Sequence, residues 1–411
     1  MLDGCGDMKK KLTIGYFIDA FYPMVDGVIL VVDNYARHLS KYANVILFAP
    51  EDNSSHYDDF KLPYKVVRCK SAKVPIIDYV LPLPKLDKDF MKELSTYKLD
   101  VIHIHSPFTL GRLGIEYAKT YNIPVIATMH SQFKQDFRRA VHFPPLVNAL
   151  TKNTINVFEK CDECWTMTEE LVRVFKSYGY TKSPRLVSNA TDMKKIVDIK
   201  KACEEIDIRY KIKPEEKVLL FTGRLNKLKN IFFIIDSLKI LKDNYPEFKY
   251  KMLFVGSGQD EKELAKRIED NNLKDSIIMC GRITDRTLLA YHYARADLFL
   301  FPSLYDASSL VQVEAASQGT PTLFIESVTA ATVTNGVNGY ITKNDSKMYA
   351  DKIVAIFQNE KEYQKVCKNA YKDLYKNWES VTLQAYKIYL KLIEKRNKND
   401  KCSIVWTGNS W

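Results

Sequence analysis

The sequence predicts an α/β protein made of two successive doubly wound, mainly parallel sheets, and three observations predict it. At 411 residues the chain is longer than one hydrophobic core normally organises, which points to two domains. Short β-branched runs alternate with helical patterns, the signature of βαβ units. The alternation breaks once, at a lysine-rich and acidic stretch between residues 193 and 217, and then begins again.

In the first series the strands are KLTIGYFI at residues 11–18, NVILFAP at 44–50, YKVVRCK at 64–70, VIHIHS at 101–106 and PVIATMH at 124–130. Helical spacing predicts helices between them, among them VVDNYARHLSKY at 31–42 and LGRLGIEYAKTYN at 110–122. The second series has strands VLLFTG at 218–223, KYKMLFVG at 249–256, SIIMCG at 276–281, DLFLFPS at 297–303 and PTLFIE at 321–326. WESVTLQAYKIYLKLIEK, at 378–395, carries apolar residues at helical spacing and is expected to pack back on the body. The expected domains are 1–195 and 196–375, followed by a C-terminal helix over 376–396 and an unpacked tail over 397–411. Doubly wound sheets receive ligands at the carboxyl ends of their strands, so the gap between the two lobes is the expected site.

Composition narrows the class. The chain is 46% hydrophobic and 27% charged, ordinary for a soluble globular protein, and no run approaches the apolar length that crosses a bilayer. Its start, MLDGCGDMKKKLTIGYFIDAF, lacks the order of a secretory signal, so the expected location is cytoplasmic. Eight scattered cysteines then read as reduced thiols. Cys161 and Cys164 form a lone CxxC with no second pair at zinc spacing, and buried packing is the better account. No metal and no cofactor are expected. The net charge of +11 suits nucleic acid, an anionic membrane or a phosphorylated small molecule. Nucleic acid ranks last, because the lysines are spread along the chain without an interleaved aromatic stripe or a reading motif.

The segment FPSLYDASSLVQVEAASQGTPT at 301–322 is the most informative. A strand delivers a loop and then a helix start, with Ser308 and Ser309 as N-cap candidates and Gly319 and Pro321 as the stop. The amides of Ala307, Ser308, Ser309 and Leu310 and the positive end of the helix dipole favour a diphosphate there. Asp306 in the loop and Glu314 two turns down the helix can accept hydrogen bonds from sugar hydroxyls. The geometry suits a sugar nucleotide; on this segment alone, an ordinary strand–helix unit with two solvated acids fits equally well. Arg224 and Lys229 follow VLLFTG at a spacing that can bring both cations to a strand end, although with Lys227 beside them a solvated basic turn is the better account in isolation. Gly27 follows the first strand and lets backbone approach a phosphate, or simply turns the chain. Gly256 and Gly258 make a tight strand-to-helix turn expected to approach the nucleotide. His130 and His105 both sit at strand ends, and His130 ranks higher.

Taken in order, FYPMVDGV, DVIHIHSPFTLG, ATMHSQF, LVSNATD, FTGRLNKLKN, FVGSGQDEKEL and DASSLVQVEAASQGTPT resemble a GT-B glycosyltransferase of family 4, the retaining, nucleotide-sugar-dependent class, over nearly the whole chain. The resemblance implies two Rossmann-like domains facing across a cleft, with the C-terminal helix returning to the N-terminal, acceptor-binding domain. It implies that Arg224 and Lys229 clamp the donor diphosphate, that Glu314 bonds the donor ribose, and that Asp306 with the neighbouring amides holds the sugar. His130 would contact the transferred hexose near the reacting centre. The chain departs from the family pattern at Asp306, where a glutamate is usual, at Ala307 and Ser309, where glycines are common, and at Ala190 after Asn189. These departures reshape the sugar pocket and keep a non-catalytic nucleotide-sugar-binding relative open; a sugar-nucleotide epimerase of related two-lobe architecture is a further alternative.

For the acceptor, the stretch from His130 to Lys160 mixes Phe133 and Phe137 with Lys134, Arg138 and Arg139. Such a basic amphipathic segment fits docking of a peripheral protein on an anionic membrane, at the inner face of the plasma membrane. A core-facing helix with a solvated face accounts for it equally. Similar lipid glycosyltransferases make a lipid or lipid-linked saccharide hydroxyl the expected acceptor.

Overall fold

Both main sheets are parallel throughout, and their central strands are buried, which is why they read as continuous apolar runs. The computed structural model describes residues 11–52, 57–73, 79–304, 306, 309–328 and 332–406, with side chains to 398. Two units divide the chain: Met1–Met167 with Leu171–Val187 and Trp378–Trp411, and Thr168–Glu170 with Ser188–Asn377.

In chain order the elements up to residue 187 are β1 (Thr13–Phe17), α1 (Gly27–Leu39), β2 (Asn44–Pro50), β3 (Lys65–Cys69), β4 (Ser71–Lys73), β5 (Val80–Pro82), α2 (Lys88–Thr96), β6 (Val101–Ile104), α3 (Thr109–Tyr121), β7 (Val125–Thr128), α4 (Phe133–Ala140), α5 (Pro144–Phe158), β8 (Glu163–Thr166), α6 (Glu169–Ser177) and β9 (Arg185–Leu186). The sheet order is β3-β2-β1-β6-β7-β8-β9, with β4 and β5 forming a separate antiparallel hairpin. Helix α1 begins at Gly27, four residues before the apolar spacing predicts, because the Asp26 side chain caps it by accepting from the Ile29 amide at 2.8 Å.

The second unit carries α7 (Ile199–Tyr210), β10 (Lys217–Thr222), α8 (Ile231–Asn244), β11 (Tyr250–Val255), α9 (Glu261–Asp270), β12 (Ile277–Gly281), α10 (Arg286–Arg295), β13 (Leu298–Leu300), α11 (Leu310–Gln318), β14 (Thr322–Ile325), β15 (Tyr340–Thr342), α12 (Ser346–Gln358) and α13 (Glu360–Asn369). Its strands run in the order β12-β11-β10-β13-β14-β15. Its main segment begins at Ser188, earlier than the expected boundary at 195, because Met193 is buried in the second core and the Ile196 amide bonds the Gln318 side chain at 2.9 Å.

The last helix, α14 (Trp378–Trp406), belongs to the first unit and packs on α1. Trp378 meets Tyr35 edge to face, and the Tyr389 hydroxyl lies 3.1 Å from that of Tyr16 and 2.7 Å from His103 Nδ1. The helix passes the expected end at 396 and runs into the predicted tail, since residues 397–406 contain no glycine or proline to stop it. Among the described residues no helix is long and apolar enough to cross a membrane. The six described cysteines are free; Cys161 and Cys164 are buried, as packing requires.

Candidate active site at the strand-order switch points

Each sheet reverses its strand order once, and doubly wound folds collect functional side chains at the carboxyl ends of the two strands flanking that reversal. In the second unit those strands are β10 and β13. The loop after β10 carries Arg224 and Lys229, and the loop after β13 carries Asp306. The two loops meet: Lys229 Nζ lies 2.5 Å from Asp306 Oδ1, Ser303 Oγ donates to Asp306 Oδ2 at 2.6 Å, and both charged side chains are largely buried. The Asn226 side chain accepts from the Lys229 amide at 3.2 Å and the Asn230 amide group donates to the Pro302 carbonyl at 3.2 Å, so the loop that presents Lys229 is held at both ends. Arg224 is exposed in the same loop.

Helix α11 starts beside Asp306. Ser309 is its N-cap residue, with extended backbone and no side-chain cap bond, so the cap oxygen that normally satisfies an N-terminal amide is not used. Ala307 and Ser308 lie outside the described residues; Leu310 is the first residue of the helix. Gly319 closes α11 in the left-handed region, as expected.

Glu314, on the second turn of α11, is 9% exposed. Arg286 Nη1 donates to its Oε1 at 2.8 Å and the Tyr293 hydroxyl donates to its Oε2 at 3.1 Å. Burial pushes the carboxyl above its ordinary range, and Arg286 opposes the shift. Each oxygen keeps one acceptor position for a ligand hydroxyl. Arg286 also bonds Asp192 at 2.5 Å. Arg286, Tyr293 and Asp192, which surround Glu314, are the residues that reading the sequence did not single out. One signal was present: Arg286 and Tyr293 stand seven apart on α10 and therefore share a face.

The glycines divide into two kinds. A Cβ at Gly256 would lie 1.9 Å from the Gly223 carbonyl oxygen, with φ at +142°, and one at Gly258 would lie 2.3 Å from the Leu225 carbonyl oxygen. Packing of the β11 loop against the β10 loop therefore requires both glycines whether or not a nucleotide approaches. Asp260 secures the same junction by accepting from the Lys227 amide at 2.7 Å. Gly27, in the first unit, is the opposite case: among the described residues a Cβ there meets nothing within 4 Å, so no contact with them demands glycine.

In the first unit the switch point lies between β1 and β6. Asp19, after β1, accepts from the Leu110 amide at 2.8 Å and from Ser106, so the N-terminus of α3 is already met by a carboxylate of the chain itself. Three histidines come next, His103 on β6, His105 just past its end and His130 just past the end of β7. His103 is fully buried between Tyr389 and Thr128, each at 2.7 Å. His105 Nδ1 lies 3.2 Å from His130 Nε2, and His105 Nε2 is buried with no hydrogen-bond partner. Burial pushes His103 and His105 well below the ordinary imidazole value and His130 down to about 3, so the imidazoles are neutral. The two histidines ranked against each other from sequence are thus hydrogen-bonded partners.

The basic amphipathic segment needs one correction. Phe133 is 7% exposed and packs against Phe158 and Phe175, so it belongs to the core and is not available to a membrane. Phe137 packs edge to face on Phe108, and Lys134 lies over the Tyr178 ring. What the segment exposes is Arg138 and Arg139, and just beyond α4, Phe143 and Leu146.

Comparison with known proteins agrees with this architecture. The family model described as Glycosyltransferase Family 4 matches residues 25–195, and the one described as Glycosyl transferases group 1 matches residues 203–373. An alpha-monoglucosyldiacylglycerol synthase of Acholeplasma laidlawii is 24% identical over 405 residues, covering 94% of this chain and 99% of that one. A protein of the same name from Streptococcus pneumoniae is 26% identical over 325 residues, covering 76% and 70%. Among solved structures, Anabaena HepE in complex with UDP and glucose superimposes with a TM-score of 0.71 at 16% identity, covering 92% of this chain and 99% of that one. With the two matched models following one another along two parallel-sheet units, the chain belongs to the family-4 and group-1 glycosyltransferases and is a glycosyltransferase of the GT-B fold.

Proposed function

We propose that the chain transfers a hexose from a nucleoside diphosphate sugar to a hydroxyl of a lipid acceptor, with retention at the anomeric carbon. The observation that carries this reading is the meeting of Lys229 and Asp306 at the switch point of the second sheet, beside the start of α11, which Ser309 leaves without a side-chain cap. A cation and helix amides suit a diphosphate, and a carboxylate suits sugar hydroxyls. In the reaction the bond from the anomeric carbon to the diphosphate oxygen breaks and its electron pair leaves with the diphosphate. The acceptor oxygen bonds the anomeric carbon on the same face, and its proton passes to an oxygen of the departing diphosphate. Lys229 exchanges Asp306 for the departing diphosphate, with Arg224 adding a second positive charge, and Asp306 is freed for a sugar hydroxyl. Glu314, held by Arg286 and Tyr293, receives a ribose hydroxyl. His130, kept unprotonated by burial, meets the sugar as a neutral hydrogen-bonding group. The reading calls for no metal and no further cofactor.

Two relatives named as monoglucosyldiacylglycerol synthases support a lipid acceptor and glucose as the hexose. Exposed Phe143 and Leu146 beside Arg138 and Arg139 support peripheral contact with an anionic membrane, at the inner face of the plasma membrane. The test incubates the purified chain with a panel of nucleotide sugars and lipid extract and measures nucleoside diphosphate release for the native chain and Glu314→Ala. Release with one donor, lost in the variant, supports the transferase. Nucleotide binding without release from any donor overturns it in favour of a non-catalytic relative, and donor conversion without acceptor overturns it in favour of an epimerase.

A further inference from the structure

We infer that an open groove of about 620 Å³ in the first unit, between the β5 strap and the start of α3, holds one acyl chain of the lipid acceptor, with its ester oxygens at Arg112. The inference rests on the lipid-acceptor reading and adds to it a site.

The strap is YVLPLPKL at 79–86, strand β5 followed by a 3-10 turn over Pro84–Leu86, in which Pro82 and Pro84 deny the backbone two amide donors. Its leucines flank the groove: Leu81 is 48% exposed and Leu86 74% exposed. From the other side come Leu113 of α3 and Phe108, which is 41% exposed although it packs on Phe133 and Phe137. Large apolar side chains that expose this much surface around one concavity mark a binding site for an apolar partner. The volume is that of a small-molecule site, and leucines, prolines and Phe108 make up more of the lining than its polar residues do, which favours an occupant that is mainly hydrocarbon.

The polar end is equally specific. Lys85 and Glu116 at the rim neutralise each other at 2.8 Å. Arg112 lines the groove as well, and among the described residues its guanidinium has neither a hydrogen bond nor an ion pair. A fork of donors that no described residue matches, in the lining of a mainly apolar trough, complements a molecule with one hydrocarbon tail and one cluster of acceptor oxygens, which is the chemistry of an acyl ester. Asn153 of α5 also borders the groove. Leu146, 45% exposed, lies seven residues earlier on the same helix face, roughly 10 Å along the axis, so apolar surface continues from the groove toward Phe143. A lipid leaving a bilayer at Phe143 and Leu146 would have a path to the groove.

The full chain, without nucleotide, is titrated with a dansylated undecanoic acid followed by fluorescence, and the probe is displaced by octanoyl, decanoyl and dodecanoyl glycerol. Saturable binding is expected, with displacement improving about fourfold per added methylene. Leu86→Glu and Leu81→Glu, both at exposed positions, should weaken binding tenfold or more, whereas Met348→Glu, on an exposed site of the second unit, should not. Displacement that is flat with chain length, or Leu86→Glu and Leu81→Glu binding like the native chain, overturns the inference. The outcome separates from that of the transferase reading. Binding is read without donor, so it stands if no sugar is transferred. Transfer to lipid extract with an unchanged KM in both leucine variants removes the groove and leaves the transferase.

Discussion

Burial holds three histidines of the first unit unprotonated, and this makes the stability of that unit depend on pH in a defined direction. His130 is pushed from its ordinary value of 6.5 down to about 3. A base whose folded value is depressed contributes stability that is fully present above the unfolded value and is lost as pH falls through the folded one. The window therefore runs from about 6.5 to about 3. Each tenfold difference in proton affinity between the folded and unfolded chain is worth about 1.4 kcal/mol, so His130 alone removes about 2 kcal/mol at about pH 5 and about 5 kcal/mol below about pH 3. His103 and His105 are displaced in the same direction by the same cause and add to the loss. The assay is denaturant unfolding at neutral pH and at about pH 5 for the native chain and His130→Gln, which keeps a hydrogen-bonding group opposite His105 and cannot titrate in this range. The variant should lose about 2 kcal/mol less than the native chain between the two conditions. An identical pH dependence would refute the reasoning.

Other predictions follow from single contacts. Gly256→Ala forces a Cβ to 1.9 Å from the Gly223 carbonyl at a positive φ and should cost more than about 2 kcal/mol; an unchanged melting temperature would contradict it. Arg286→Met leaves Glu314 buried beside Tyr293 alone and should destabilise by about 1–3 kcal/mol and raise KM for the donor, with Arg286→Lys recovering part of both; a KM equal to that of the native chain would remove Glu314 from donor binding. Lys229→Ala should lower kcat roughly 10²-fold with the fold intact by circular dichroism, and a normal kcat would take Lys229 out of the reaction. Arg138→Glu with Arg139→Glu should abolish binding to anionic vesicles at low salt, and the native chain should lose that binding as salt rises; binding by the doubly substituted chain would contradict the membrane face.

Much of the architecture was legible in the chain. Parallel strands covered on both faces must be apolar along their whole length, so VLLFTG, KYKMLFVG and DLFLFPS announced β10, β11 and β13. The same rule left the short edge strands Arg185–Leu186 and Tyr340–Thr342 without a signal, because they are held by a neighbour's backbone and not by their own pattern. Local rules also placed the ends of α11, where Ser309 and Gly319 act through their own backbone conformations.

Sequence alone determined that Lys229, Asp306 and His130 follow strands and that Glu314 lies two turns into a helix, since that depends on local pattern and chain order. Only the tertiary structure decided what each of them meets. Lys229 and Asp306 are 77 residues apart, Glu314 and Arg286 are 28 apart, and His105 and His130 are 25 apart. Such pairs form because neighbouring parallel strands bring their carboxyl ends together and, for Glu314 and Arg286, because α11 packs on α10; no periodicity along the chain encodes that neighbourhood. Burial is decided in the same way. It places Phe133 in the core, leaves Phe143 outside it and keeps the histidines neutral, because the helices and strands that exclude water from a side chain come from distant parts of the sequence.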